Sequence, residues 1–240
     1  MPDQLFLLPG WAFGPAALQP LCEALSELAP DLDVIIEPLP ELAEAGAWLD
    51  ELDRRVPDDS WLAGWSLGGM LASQLAARRV DSCRGLVTIA SNPCFRARPQ
   101  WPEGMAPDIF DAFQEAFRLD PEETLKRFRL LCSRGGYDPR TLARQLEVSR
   151  SDSAPAVLDA GLQLLAELDG RGALQGYFGP PLHLFAGGDA LVPSTACDAL
   201  RRWMPGIEAE LIASTSHALP LERPDDVAAT IAAFIKGRAK

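Results

Sequence analysis

Ser66 stands in Gly64-Trp65-Ser66-Leu67-Gly68, a serine with a glycine two residues to either side. A serine hydroxyl attacks a carbonyl only when a neighbouring base takes its proton. Histidine suits that task near neutral pH, and the chain has only two, His183 and His217. His183 is embedded in the apolar run Leu182-His183-Leu184-Phe185, the setting of a core histidine. His217 lies in Ser214-Thr215-Ser216-His217-Ala218-Leu219-Pro220, where small neighbours let an imidazole swing over a nucleophile. Asp189 follows Gly187-Gly188 and is suited to accept the Nδ1 proton of His217, fix its tautomer and stabilise the imidazolium. Ser66, Asp189 and His217 are therefore the candidate catalytic residues. With two histidines and no clustered carboxylates, neither a metal site nor a cofactor is expected.

The glycine spacing has a mechanical cause. A nucleophile on a tight strand-to-helix turn needs residues without a Cβ on both sides, so that strand and helix can approach. The sequence supplies both elements: residues 60–65 read as a buried strand and residues 67–79 as a helix. The first amides of such a helix favour negative charge, so the Leu67 N–H is a candidate donor to an oxyanion. A second donor is expected from the loop after the first strand, where the Trp11 N–H follows Pro9-Gly10. The Trp11 ring is equally of a type that packs in a core.

Further strands are expected at residues 4–8, 33–37, 85–90, 181–186 and 208–212. Helical spacing marks residues 15–29, with Leu18, Leu21, Cys22, Leu25 and Leu28 on one stripe, and residues 41–56, with Leu42, Trp48, Leu49 and Leu52 inward. A last helix is expected over residues 225–236. Strands alternating with helices imply a mostly parallel sheet covered on both faces.

Between about 104 and 176 the strand pattern stops. Ile109, Phe110, Phe113 and Phe117 form one helical stripe. Asp120-Pro121-Glu122-Glu123 offers an N-cap, a first-turn proline and a capping-box glutamate, and Asp138-Pro139 repeats the start signal. A further helix is expected over residues 155–168. This stretch reads as a helical cap (104–176) inserted into a core of 1–103 and 177–240, over the edge where open α/β sheets bind ligands. Serine, acid, histidine in that chain order is the arrangement of α/β-hydrolases. The expected fold is accordingly an α/β-hydrolase sheet of about six strands with an inserted lid.

A net charge of −12 argues against nucleic-acid binding or adhesion to anionic membranes. Residues 118–150 nevertheless hold eight Lys/Arg against five Asp/Glu, a basic island fit for an acidic partner or for a solvated helical face. Five scattered cysteines without a C-x-x-C pair suit reduced thiols. With no signal-like start and no membrane-length apolar run, a cytoplasmic protein is expected, and a monomer.

Gly64 to Gly69 followed by Ala72-Ser73-Gln74 resembles the pimeloyl-acyl-carrier-protein methyl ester esterases of biotin synthesis. So do Thr88-Ile89-Ala90-Ser91-Asn92-Pro93-Cys94-Phe95, Trp101-Pro102, residues 157–162, Asp189-Ala190-Leu191-Val192-Pro193 and His217-Ala218, a span from Leu7 onward. The resemblance implies a Ser66–Asp189–His217 triad, Trp11 and Leu67 as oxyanion donors, and Phe128 and Leu131 at an acyl channel. It further implies acyl carrier protein as the partner that delivers the substrate, gripped by Arg127, Arg140 and Arg144. Three departures stand out. Glu123 replaces a family arginine, Pro9-Gly10 replaces His-Gly before the tryptophan, and two leading strands of the family are not read before the first strand. A broad short-chain carboxylesterase or thioesterase acting on small esters, and a non-catalytic acyl-carrier-protein binder, are the alternatives.

Overall fold

The structure is a computed structural model and describes residues 3–238. Six short apolar runs pair into one sheet: β1 (Asp3–Leu8), β2 (Leu32–Ile36), β3 (Ser60–Trp65), β4 (Cys83–Ile89), β5 (Pro181–Ala186) and β6 (Glu208–Ile212). The order is β2-β1-β3-β4-β5-β6 and every pairing is parallel. All six residues of β3 are buried, as a central strand covered on both faces requires. The order reverses between β1 and β3, and the carboxyl ends of strands at such a reversal form a crevice. The Trp11 loop and the Ser66 turn both leave the sheet there.

The connecting helices are α1 (Gln19–Leu28), α2 (Trp48–Arg55) and α3 (Leu67–Arg79). Between β4 and β5 lie α4 (Pro107–Leu119), α5 (Pro121–Ser133), α6 (Pro139–Val148), α7 (Pro155–Glu167) and α8 (Arg171–Gly176). Then follow α9 (Thr195–Trp203), α10 (Leu219–Glu222) and α11 (Pro224–Lys236). Among the described residues no helix is long and apolar enough to cross a membrane. α5 and α6 start as their sequence demands: Asp120 accepts from the Glu123 N–H and Asp138 from the Thr141 N–H, both at 3.1 Å. The return bond of a capping box is absent at α5: the Asp120 N–H donates to the Ala116 carbonyl at 2.9 Å, and the Glu123 carboxylate turns to Arg127.

Several expected elements are shorter in the structure. The helix expected over 15–29 is a 3₁₀ turn, Pro15–Ala17, followed by α1. Pro20 has no N–H to give to the preceding turn, so an unbroken helix is unavailable. Leu28, placed on the buried stripe, is exposed at the α1 end. The helix expected over 41–56 begins only at a 3₁₀ turn, Ala45–Ala47, before α2. Leu42 is therefore outside it and exposed, while its carbonyl accepts from the Trp48 indole at 2.8 Å. Ile109 also faces outward at the α4 start, whereas Phe110 and Phe117 of the same stripe are buried.

Candidate active site

The turn at Ser66 is tight enough to exclude side chains beside it. A Cβ on Gly64 would stand 2.2 Å from the Gly68 carbonyl, and one on Gly68 would stand 2.4 Å from the Leu8 oxygen. Glycine at both positions is thus a steric requirement of packing α3 against β1 and β3. Ser66 itself has φ +55 and ψ −118, a conformation that costs a non-glycine residue about 1–3 kcal/mol. The surrounding bonds hold it there. Its N–H donates to the Ile89 carbonyl at 2.9 Å, and its carbonyl accepts from the Ser91 hydroxyl at 2.8 Å.

The structure brings Ser66, His217 and Asp189 into one hydrogen-bonded chain. His217 Nε2 is 2.9 Å from Ser66 Oγ, and His217 Nδ1 is 2.7 Å from Asp189 Oδ2. The His217 and Asp189 side chains are each 1% exposed, so water barely weakens the interaction. The other carboxylate oxygen of Asp189 accepts from the Leu191 and Val192 N–H groups at 2.8 and 2.9 Å. The His217 backbone is held too, since its carbonyl accepts from the Trp65 indole at 2.8 Å. Such a chain can pass the serine proton to an imidazole whose far nitrogen faces a carboxylate.

Among the described residues, neither the Leu67 N–H nor the Trp11 backbone N–H has a partner within the chain. The Leu67 amide is one of the open donors at the start of a helix. The Trp11 ring is buried, its indole donating to the Leu158 carbonyl at 2.7 Å and its faces meeting Phe113, Phe117 and Phe128 edge-on. Core packing and a free backbone donor thus coexist at Trp11. The departure Pro9-Gly10 is accommodated by a turn in which the Phe13 N–H donates to the Gly10 carbonyl at 3.2 Å.

An apolar cavity of about 60 Å³ lies beside this loop, with Trp11, Phe95, Phe110, Phe128, Leu131 and Leu191 among its walls. Phe128 and Leu131 therefore face one space together. A larger groove of about 570 Å³ runs from Ala12 and Leu158 to the α5 start and the α6 end, lined by charges of both signs. Cys132, in α5, is the buried thiol near Asp189. Burial first, and the Asp189 charge second, push it well above the ordinary thiol value, so it is no rival nucleophile.

The three arginines are not equivalent. Arg140 and Arg144 are exposed one turn apart on α6 and, among the described residues, make no ion pair. Arg127 is exposed on α5 but its Nε lies 3.1 Å from Glu123. The basic island is further reduced because Arg129 is buried against Glu147 at 2.5 Å.

His183 sits in β5, 2% exposed, with Nδ1 2.7 Å from Thr88 Oγ1. Burial holds it down to about 4, so it stays neutral at neutral pH. The unfolded chain binds this proton near 6.5. Between those values the unfolded state is the more protonated one, so stability falls as pH drops from 6.5 towards 4. Urea unfolding at pH 7 and pH 4.5 is expected to show a smaller loss for His183→Gln than for the natural chain.

Trp65, Ser91, Leu191 and Val192 lie within the stretches quoted above, but the sequence assigns them no role; the structure shows each holding a neighbour of the site in place.

The model of the alpha/beta hydrolase family matches residues 5–230. The pimeloyl-[acyl-carrier protein] methyl ester esterase of Aromatoleum aromaticum is 36% identical over 98% of this chain and 99% of its own length. The biotin biosynthesis bifunctional protein BioHC of Cellvibrio japonicus is 35% identical over 96% of this chain. The chain spans about half, 47%, of that longer protein. The esterase EaEST of Exiguobacterium antarcticum has the same fold, with a TM-score of 0.85 at 18% identity over 98% of this chain and 92% of that one. Six parallel strands, a strained serine turn at their edge and this degree of identity over nearly the whole length lead to one assignment: the chain belongs to the alpha/beta hydrolase family, among the pimeloyl-[acyl-carrier protein] methyl ester esterases.

Proposed function

We propose that the chain is a serine carboxylesterase that hydrolyses the methyl ester of a pimeloyl group carried by acyl carrier protein, releasing methanol. One observation carries the catalytic part: the unbroken hydrogen-bond path from Ser66 Oγ through His217 to Asp189, 2.9 and then 2.7 Å. The substrate is inferred from the names of the relatives.

His217 takes the Ser66 proton as Oγ attacks the ester carbonyl. The Leu67 and Trp11 amides stabilise the tetrahedral oxyanion, each donor contributing about 3–4 kcal/mol in sites of this type. His217 returns the proton to the departing methanol, and water activated by the same imidazole then cleaves the acyl-enzyme. Helices α4–α8 form a cap over this edge, and the cavity between Phe128 and Leu131 takes apolar acyl carbons. Arg140 and Arg144 grip the acidic carrier, Arg127 contributing less because Glu123 holds it. Five unpaired thiols fit a reducing compartment, so we place the protein in the cytoplasm, as a monomer.

The Glu123–Arg127 pair favours a second reading, a broad short-chain esterase with weak carrier dependence. Product analysis after incubation with pimeloyl-carrier methyl ester separates the two. The first reading requires methanol and a free ω-carboxylate at rates far above those for the free dimethyl ester. An arginine variant adds a second arm. Arg140→Ala with Arg144→Ala is expected to lower kcat/KM for the carrier-bound ester about tenfold, through slower association. Added salt is expected to erase the difference between variant and natural chain. Equal losses on carrier-bound and free esters would contradict the docking role.

A further inference from the structure

Glu222 has no part in the steps above, yet it joins three donors beside the proposed base. It ends α10, five residues after His217. Its Oε2 accepts from the Ser216 N–H and the Ser216 hydroxyl, both at 2.7 Å. Its Oε1 accepts from the Tyr137 N–H at 2.8 Å. Ser216 immediately precedes His217, while Tyr137 belongs to the turn between α5 and α6. A single carboxylate therefore ties the histidine loop to a turn of the inserted helices.

Two neighbouring contacts fall on the same seam. The Ala218 N–H donates to the Cys132 carbonyl near the α5 end at 3.2 Å. Gly135, at φ +88, lies so close to the aspartate loop that a Cβ would stand 2.0 Å from the Gly188 oxygen. Gly188 precedes Asp189, and its own N–H donates to the Thr215 carbonyl at 2.7 Å. The α5–α6 turn thus seats on the acid loop and the base loop together, and Glu222 is the ionisable side chain that fastens it.

The partner set explains why this position needs a carboxylate. Tyr137 and Ser216 both present N–H donors, and only an acceptor at each end of the side chain satisfies both. Charge assistance makes such bonds stronger than neutral ones. Glutamine has the same shape, but one end of its amide is itself a donor and would face an N–H.

We infer that Glu222 is a positioning residue. It clamps the loop carrying His217 against the α5–α6 turn, so that the imidazole stays within hydrogen-bond reach of Ser66. This rests on the reading of His217 as the base. A displacement of about 1 Å in such a group can cost 10²-fold in rate without altering substrate binding.

Two variants test the role. Glu222→Gln breaks the acceptor pattern. Gly136→Ala leaves the carboxylate in place but puts a Cβ 2.7 Å from Oε1, forcing the two apart. The measurements are steady-state kinetics on p-nitrophenyl butyrate and hydrogen exchange across residues 134–138 and 214–218. For both variants kcat is expected to fall roughly ten- to a hundredfold with KM little changed, and exchange is expected to quicken in both segments. Unchanged exchange in Glu222→Gln overturns the clamp. Quickened exchange with an unchanged kcat per folded molecule overturns the positioning role. A natural chain that neither hydrolyses the ester nor reacts with a fluorophosphonate at Ser66 overturns the catalytic reading, and this role with it.

Discussion

Ser66→Ala is expected to leave a folded protein whose ester turnover falls by about 10⁶-fold, the scale seen when the nucleophile of such a unit is removed. The backbone at Ser66 is held by the Ile89 carbonyl and the Ser91 hydroxyl rather than by its own Oγ, so alanine inherits the same strained turn. What changes is His217 Nε2, which loses its 2.9 Å partner inside the protein. An unmet buried polar group costs roughly 1–3 kcal/mol, which a domain of ordinary stability survives. Circular dichroism and thermal unfolding should therefore resemble those of the natural chain while hydrolysis of p-nitrophenyl butyrate disappears. A variant that keeps turning over ester, at a rate within a hundredfold of the natural chain, would remove Ser66 from the mechanism.

Asp189→Asn is expected to cost about 10⁴-fold in kcat with little change in KM. The direction follows from the two oxygens of Asp189. Oδ1 accepts from two backbone N–H groups, Leu191 and Val192, and only the carbonyl oxygen of asparagine can take that place. The amide nitrogen must then face His217 Nδ1, where a donor forces the imidazole proton onto Nε2. An imidazole protonated at Nε2 offers Ser66 a donor and cannot accept its proton. Fold and substrate binding are untouched, so the loss belongs to the chemical step. Single-turnover acylation measured against substrate concentration checks this. A slow acylation rate at unchanged half-saturation supports the assignment, and an unchanged acylation rate contradicts it.

The two substitutions probe different parts of what the sequence made legible. The Ser66 turn was readable because a steric need leaves a chemical trace, namely glycines at 64 and 68. That His217 rather than His183 lies beside Ser66 was readable from neighbours, since His183 lies among apolar residues and His217 among small polar ones. The strands were readable from apolar runs, and β3, β5 and β6 have the extents expected of them. The first helix is expected too long at its start, because apolar spacing runs on through residues 15–18 although Pro20 breaks the hydrogen bonding there, and the second because Leu42 matches a helical stripe while lying outside α2. Helices α8, α9 and α10 went unread. At four to nine residues they give too little periodicity to stand out.

Contacts formed only in three dimensions left no trace along the chain. The Trp65 indole reaches a carbonyl 152 residues away, and Glu222 reaches Tyr137 across 85 residues. Glu123 and Arg127 could be placed one helical turn apart from their numbers alone. That they pair is a property of side-chain conformation. The same holds for Arg129, which counts towards the basic island in the sequence yet is spent inside the protein on Glu147.

Mass spectrometry of the protein after brief exposure to a fluorophosphonate tests the central assignment most directly, because the reagent needs a serine activated by its base and a site that stabilises an oxyanion-like adduct. The Ser66–His217–Asp189 arrangement predicts one adduct per chain, on the peptide containing Ser66, and none in Ser66→Ala. No adduct on that peptide in a preparation that hydrolyses esters, or an adduct on a different serine, would contradict it.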